Sequence, residues 1–364
     1  MKNINVLVKT ILILFFFLLP YSVLAMEEEQ IYKARIIQSN TVSCGDFAQQ
    51  EELNCLSYEI EILEGEYANE IVETIPTWLE TSDEKFIEGS TVYVSIMEDF
   101  DGNDVWTVMS YSRENSLLLL FLVFVVVIIA VTGIRGLRAT IGLAISFLIL
   151  YFFAVPRISE GGSILLVAVI TLGVLLVAST FITYGFNIKS FIAFLSTFLG
   201  IILIALLGYI VISWLNLSGL GEESSAMIAD SMIDSIQLSS VFLLSIIIGA
   251  LGVLDDVTVG QASSMIEIFE TDKSLTSSEL FKKSMNIGKD HIASMVNTLF
   301  IAYAGSSFTL IMLLSINTSD IRILLNTGFL VEEIVRTLVA SIGLVLIVPL
   351  SAFFASRIIV RVLK

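Results

Sequence analysis

The sequence predicts a membrane all-α bundle of seven transmembrane helices, preceded by a small exported all-β domain. Of the 364 residues, 56% are hydrophobic and only 15% are charged, which is typical of a multi-spanning membrane protein. Long apolar blocks follow residue 115, whereas short alternating runs precede it. The chain therefore divides into a signal peptide at 1–25, an extracytoplasmic acidic β-domain at 26–115 and a membrane domain at 116–364.

Residues 1–25 have the organisation of an export signal. Lys2 and Lys9 accompany the apolar stretch ILILFFFLL, and small residues end the segment at Val23 and Ala25. Signal peptidases cleave segments that have this order of basic residues, apolar core and small-residue site. An uncleaved membrane anchor is the alternative, and in both cases the following domain is expected outside the cytoplasm.

Short runs that alternate apolar and polar residues predict β-strands in the domain at 26–115. IYKARIIQ, LSYEIEIL and STVYVSIM are examples, and they favour a five- or six-stranded barrel or sandwich. The acidic stretch EDFDGND at 98–104 is interpreted as a hairpin turn, because its glycine lacks the EF-hand spacing. Cys44 and Cys55 are the two cysteines of the chain, and an oxidant would make a disulfide between them available.

The net charge of −17 is concentrated in the β-domain. Residues 26–115 contain 21 Asp or Glu against four Lys or Arg, and the rest of the chain is balanced. A solvated acidic surface is the simplest interpretation of this excess. The same charge would attract cationic peptides or metal ions and repel anionic polymers.

Seven apolar blocks follow residue 115, each near the roughly 20 residues that a helix needs to cross a bilayer. They lie at 116–134, 139–156, 162–184, 190–214, 238–258, 293–316 and 331–356. Lys and Arg are frequent in the connections that face the cytoplasm if the β-domain is outside, so the positive-inside rule agrees with the export signal. The C-terminus is then cytoplasmic and the lipid bilayer is an expected partner. We also expect a surface helix in the acidic outer connection at 216–237 and two short helices in the inner one at 259–289.

Two adjacent carboxylates, Asp255 and Asp256, are the residues of the membrane domain that are hardest to explain by packing. An ionised Asp at the centre of a bilayer costs at least about 2.5–3.5 kcal/mol, so such residues tend to be functional or to lie near an interface. On a helix, Asp256 shares a stripe with small and polar residues at spacings of three and four, whereas Asp255 points about 100° away. The members of this stripe are Gly249, Gly252, Asp256, Gly260, Ser263 and Glu267. Its glycines, with Gly305 on the next apolar block, predict close helix packing.

The next apolar block offers a counterpart for Asp256. Asn297 is its strongest polar group and could hydrogen-bond to Asp256 if the two helices pack antiparallel, with Thr298 beside it. Two interpretations remain open, because these groups could line a functional polar path or could join helices near the solvated inner end of a span. The candidate path consists of Asp256, Asn297, Ser263, Glu267, Asp255 and Thr298.

The sequence contains no catalytic constellation. His291 is its single histidine, the phosphate-binding motif GxxxxGK[ST] is absent, and no Asp on another span completes an aspartyl-protease dyad. We therefore expect no enzyme activity, no cofactor and no metal site. A nucleic-acid partner is not expected either.

Four motifs, in order, resemble the YibE/F-like family of bacterial multi-pass membrane proteins. They are TYGFNIKS at 183–190, GALGVLDDVTVGQASSMIE at 249–267, LFKKSMNIGKDHIASMVNTLFIAYAGSS at 280–307 and VEEIVRTLVASIGLVLIVPLSAFFAS at 331–356. The resemblance covers nearly the whole chain and implies an exported β-rich domain. It matches Asp256, Asn297 and Thr298 to family positions, whereas many members have an apolar residue in place of Asp255. It implies no settled activity.

The expected function is that of a secondary transporter or channel-like permease of the cell membrane for a small solute or ion. Its polar path would include Asp256 and Asn297. The alternative is a non-transporting receptor or assembly module that acts through its exported β-domain. Either protein could form a homo-oligomer or a hetero-oligomer with other membrane proteins.

Overall fold

The computed structural model describes residues 30–43, 54–74, 77–78, 85–98, 104–221, 237–317 and 320–363. Three predictions fall outside these described residues. They are the export signal at 1–25, most of the outer connection with its expected surface helix, and the disulfide between the side chains of Cys44 and Cys55. The chain forms two compact units that divide within its first long helix, between Val127 and Ile128.

In the part of the first unit that the structure describes, six β-strands form one sheet. They are β1 Ile31–Ser43, β2 Asn54–Ile62, β3 Ile71–Glu73, β4 Thr77–Trp78, β5 Thr91–Glu98 and β6 Asp104–Tyr111. Their order is β3-β2-β1-β5-β6, with β4 paired to β2, and the strand pairs are antiparallel. A parallel bridge between Thr74 and Trp106 joins the end of β3 to β6. The two edges of the sheet therefore meet, and the sheet curls into a small barrel.

Inward-facing side chains alternate along the strands, as the period-two pattern predicted. Strands β5 and β6 pair from Val92 with Tyr111 to Glu98 with Asp104, which is the hairpin expected at 98–104. The core of the barrel is made by Ala34, Ile36, Leu56, Tyr58, Ile60, Ile62, Val92, Val94 and Trp106.

The rest of the described chain is mainly helical. Its helices are α1 Glu114–Thr132, α2 Ile134–Ser159, α3 Ile164–Ile182, α4 Ile188–Leu215, α5 Leu238–Thr271, α6 Ser277–Ser306, α7 Phe308–Asn317, α8 Ile321–Leu324 and α9 Gly328–Leu363. Within α2 and α3, the stretches Leu150–Ala154 and Ala178–Ile182 are π-helical turns. In the described part of the chain, six helices are long and apolar enough to cross a membrane, and these are α1 to α5 and α9.

The block predicted to span at 293–316 is divided in the structure. Helix α6 ends at Ser306 and α7 begins at Phe308. Gly305 and the two serines that follow are weak helix formers, and the Ser306 hydroxyl donates to the carbonyl of Tyr303 at 2.8 Å. The described residues therefore contain six candidate spans where the sequence predicted seven.

The inner connection also differs from its prediction. Helix α5 continues unbroken to Thr271, and α6 begins after a turn at 272–276. The backbone N–H of Ser274 donates to the Asp272 carboxylate at 3.1 Å, and a capping box between Thr276 and Glu279 begins α6. The two short helices expected at 259–289 are thus the adjoining ends of two long helices, because only this short turn carries stop and start signals.

Helices α4, α5 and α9 pack together to form the core of the bundle. A Cβ at Gly200 of α4 would lie 3.1 Å from Cδ1 of Leu254, and a Cβ at Gly208 would lie 2.7 Å from Cδ1 of Leu243. Residue numbers rise along α4 while their contacts on α5 fall, so the two helices are antiparallel. Glycines on α4 thereby receive the large side chains of α5.

We expect Gly343→Ala to destabilise the bundle by about 1–3 kcal/mol, because it overpacks a filled core. A Cβ at Gly343 of α9 would overlap Cγ1 of Ile204, which is fully buried on α4. Thermal unfolding in detergent micelles measures the change. Gly173→Ala is the matched control, because Gly173 is exposed on α3 and no described atom lies within 4 Å of its added Cβ. Equal unfolding temperatures for the two variants would contradict the close approach of α4 and α9.

Candidate functional site

The two adjacent aspartates lie on different sides of α5, one buried and one exposed. Asp255 is 6% exposed and faces the interior of the bundle, where the Thr180 hydroxyl of α3 donates to its Oδ1 at 2.9 Å. Asp256 is exposed. The sequence had favoured Asp256 as the acid that faces other helices, and the structure reverses that order. The physical reason is that α3, α4 and α9 pack against the large apolar side chains of α5 rather than against its glycine stripe.

Thr180, the donor to Asp255, lies within the π-helical turn of α3. This turn runs from Ala178 to Ile182, and Thr180 is fully buried inside it. Single π-turns within α-helices are rare and frequently occur at functional sites, because they re-aim side chains and free backbone groups. The irregular backbone of α3 and the buried acid of α5 therefore meet at one point.

Polar contacts continue from Asp255 along α5. The hydroxyls of Thr258 and Thr197 are 2.7 Å apart, and Thr258 Oγ1 also lies 3.1 Å from the carbonyl oxygen of Asp255. Gln261 Nε2 donates to the Ser284 hydroxyl of α6. All these side chains are buried. We call this set the polar ladder, and its members are Asp255, Thr180, Thr258, Thr197, Gln261 and Ser284.

Lys189, at the start of α4, shows how far along α5 Asp255 lies from that end of the bundle. Its Nζ donates to Ser263 Oγ at 3.0 Å and lies 5.4 Å from the centre of the Tyr184 ring. Asp255 precedes Ser263 by eight residues on α5, which corresponds to about 12 Å along the helix axis. Asp255 therefore lies about two helical turns from the level of Lys189.

The other predicted path residues lie on the exposed or partly exposed sides of α5 and α6. Asn297, Thr298 and Glu267 are exposed, and Ser263 is partly buried beside Lys189. The Thr298 hydroxyl donates within its own helix, to the carbonyl of Ser294, at 3.0 Å. Within the described residues, no hydrogen bond joins Asp256 to Asn297.

The four glycines predicted to pack helices have few close neighbours. A Cβ at Gly249 would lie 2.9 Å from the Tyr303 hydroxyl, and one at Gly260 would meet a single ring atom at 3.9 Å. No described atom lies within 4 Å of a Cβ added to Gly252 or Gly305. Close helix approach therefore occurs at the glycines of α4 and α9, because those helices contact the opposite side of α5.

A second buried carboxylate lies near the beginning of α9. Glu332 is 3% exposed, and its two oxygens accept the backbone N–H groups of Gly219 and Gly221 at 3.0 and 3.1 Å. The adjacent Glu333 pairs with Arg336 at 3.3 Å. Glu332 thus holds the chain that leaves α4, which is a structural task.

Sequence reasoning missed most of the polar ladder. The available signal was the spacing of three residues from Asp255 through Thr258 to Gln261, which brings polar groups to neighbouring positions of one helix. Thr180 and Thr197 lie on other helices, and nothing in their local sequence marks them. Among the described residues, no group of three or more His, Cys, Asp or Glu side chains could hold a metal ion.

Comparison with known families assigns the membrane domain. The sequence profile described as YibE/F-like protein matches residues 120–361, a range that contains every member of the polar ladder. No curated protein and no solved structure matches the chain. Since the match extends over more than half of the 364 residues, this chain belongs to the YibE/F-like protein family.

Proposed function

We propose that this YibE/F-like protein is a secondary transporter or channel-like permease of the cell membrane for a small solute or ion. The observation that carries the proposal is the buried carboxyl group of Asp255, which accepts a hydrogen bond from Thr180 of the π-turn at 2.9 Å. Ionisable residues inside a membrane bundle are expensive, and they commonly mark ion paths or proton relays. No enzyme activity is part of the proposal.

The chemistry of the polar ladder suits this function. A carboxyl group can bind a proton or a cation, and each threonine hydroxyl can both donate and accept. Either hydroxyl of the Thr197–Thr258 pair could be the donor, because each has one O–H group and two lone pairs. From Asp255 the ladder continues toward Gln261 and Ser284, in the direction of the Lys189 end of α4. The proposed path therefore runs through the interior of the bundle, and the route along Asp256 and Asn297 is its competitor.

Seven crossings are part of the proposal, with α6 and α7 together as the sixth. The hydrogen bonds of Glu332 join the beginning of α9 to the end of α4, so these two ends share one side of the membrane. The short turn at 272–276 joins the end of α5 to the beginning of α6 on the other side. The chain between Ser277 and Gly328 must then cross once. With the β-domain outside, the C-terminal basic residues Arg357 and Arg361 are cytoplasmic, in agreement with the positive-inside rule.

Thr180→Val tests the proposal, because it keeps the shape of the side chain and removes the hydroxyl that donates to Asp255. The purified chain is reconstituted into proteoliposomes, and proton, Na⁺, K⁺ and chloride fluxes are followed with ion-sensitive dyes. We expect the variant to slow the flux roughly 3- to 18-fold, which corresponds to about 0.6–1.7 kcal/mol for one interhelical hydrogen bond.

Thr337→Val is the matched control for this experiment. Thr337 is also buried, but its hydroxyl donates at 2.9 Å to the carbonyl of Glu333 in its own helix. Its flux should equal that of the parent. A parent chain that moves none of these ions, nor small organic solutes, faster than protein-free vesicles would overturn the transporter proposal.

A non-transporting receptor or assembly module remains the second candidate. The acidic excess of residues 26–115, with 21 Asp or Glu against four Lys or Arg, favours a cationic ligand for the barrel. Binding of cationic peptides to the full chain in nanodiscs tests this function. If no such peptide binds, and if a chain without residues 30–112 still transports, the module is excluded.

A further inference from the structure

Four polar side chains are exposed on α5 and α6, where a lipid-facing surface should be apolar. Asp256 is exposed on α5, and Ser294, Asn297 and Thr298 are exposed on α6. We call these four residues the α5/α6 face. Hydrocarbon tails offer no hydrogen-bonding partner to such groups, so a face of this kind costs free energy unless protein or water covers it.

Helix α9 shows what a lipid-facing surface of this protein looks like. Between residues 334 and 353 its exposed side chains are all large and apolar. They recur every three or four residues, as expected for one side of a helix. These residues are Ile334, Leu338, Ile342, Val345, Leu346, Leu350 and Phe353.

Two contacts fix the axial alignment of α5 and α6. A Cβ at Gly249 would lie 2.9 Å from the Tyr303 hydroxyl, and a Cβ at Gly260 would lie 3.9 Å from Cε1 of His291. Interpolation between these contacts along two antiparallel helices brings Asp256 level with residues 295–296. The hydrogen bond between Gln261 and Ser284 moves this level toward residue 292. Asn297 therefore lies within about 8 Å of the depth of Asp256, at 1.5 Å per residue.

We propose that a second copy of this chain covers the α5/α6 face by packing its own α5/α6 face against it, about a two-fold axis along the membrane normal. Such an axis keeps every residue at its depth, so Asp256 of one copy can meet only groups that lie at that depth in the other. Asn297 fulfils this condition, because the side chains of Asp256 and Asn297 together can bridge the remaining difference in depth. Its amide donates and the carboxylate of Asp256 accepts, so the face is complementary to itself.

Other occupants match the face less well. Helix α1 of the same chain has only apolar residues from Leu117 to Val131, and their side chains offer no donor to Asp256. Lipid offers none either. A different membrane protein would need a matching donor, and the mass of the cross-linked product distinguishes it from a second copy.

Cysteine cross-linking in native membranes tests the proposal. With Cys44 and Cys55 changed to Ser, the chain has no other cysteine, and Thr298→Cys then provides one thiol on the α5/α6 face. A short bifunctional thiol reagent should give a product with twice the mass of the chain. Ile342→Cys, on the lipid-facing stripe of α9, is the control and should remain mostly monomeric. Equal yields at the two positions, or a product of another mass, would overturn the proposal.

A second measurement uses apolar substitutions and counts subunits in nanodiscs. The double variant Asp256→Leu with Asn297→Leu should lose the dimer, whereas Asp256→Asn retains a hydrogen-bonding group and should keep it. A double variant that stays dimeric would refute the inference. Neither measurement depends on transport, so a failed dimer and a failed transporter can be told apart.

Discussion

Asp255→Asn is expected to abolish transport and to leave the fold intact. The asparagine carbonyl oxygen can still accept the hydrogen bond that Thr180 donates at 2.9 Å, and the side chain keeps its size. The amide cannot bind a proton or carry a negative charge at physiological pH. Initial flux rates in proteoliposomes should fall about a hundredfold, similar to the loss of a proton-transferring group in an enzyme.

The same substitution at the neighbouring residue is the control. Asp256→Asn changes charge and size identically, but on the exposed side of α5, so its flux should stay near that of the parent. The opposite result, an active Asp255→Asn and an inactive Asp256→Asn, would move the path to the route between α5 and α6. Thermal unfolding separates loss of function from misfolding. Removal of a buried charge should leave the stability of Asp255→Asn equal to or above that of the parent.

Glu332→Ala should destabilise the bundle more than the loss of any single hydrogen bond of the polar ladder. It removes the acceptor of two backbone N–H groups, at 3.0 and 3.1 Å, from a site that is 3% exposed. Hydrogen bonds to a charged group contribute about 1.5–3 kcal/mol each, and buried donors left unpaired add a further cost. We expect a loss of roughly 3 kcal/mol or more in the free energy of unfolding, measured by thermal or steric-trapping unfolding in detergent.

Two further variants show whether the loss at Glu332 arises from these hydrogen bonds. Glu332→Gln keeps one acceptor oxygen and turns a donor toward the second N–H group, so its stability should lie between those of the parent and the alanine variant. Glu267 is an exposed acid of α5, so Glu267→Gln should have the same free energy of unfolding as the parent. If Glu332→Ala has the same free energy of unfolding as Glu267→Gln, the Glu332 carboxylate does not hold the chain after α4.

Local signals in the sequence were sufficient for much of the fold. Alternation in IYKARIIQ and LSYEIEIL predicted strands β1 and β2, since their side chains alternate between the barrel core and the surface. Apolar blocks of near-bilayer length predicted α1 to α5 and α9. The break between α6 and α7 also has a local cause in the sequence. The serines after Gly305 end α6, but their effect was hidden in the sequence by the apolar residues on both sides.

The choice between Asp255 and Asp256 shows where the sequence was insufficient. The apolar blocks by themselves determined that the chain is a multi-spanning membrane protein. Helical periodicity determined that the two acids lie on different sides of α5 and that Asp256 shares its side with glycines. Periodicity compares positions on one helix and contains no information about the helices around it. Only the tertiary structure decided which side is buried. The leucines of α5 pack against Gly200 and Gly208 of α4, and a π-turn in α3 brings Thr180 to Asp255.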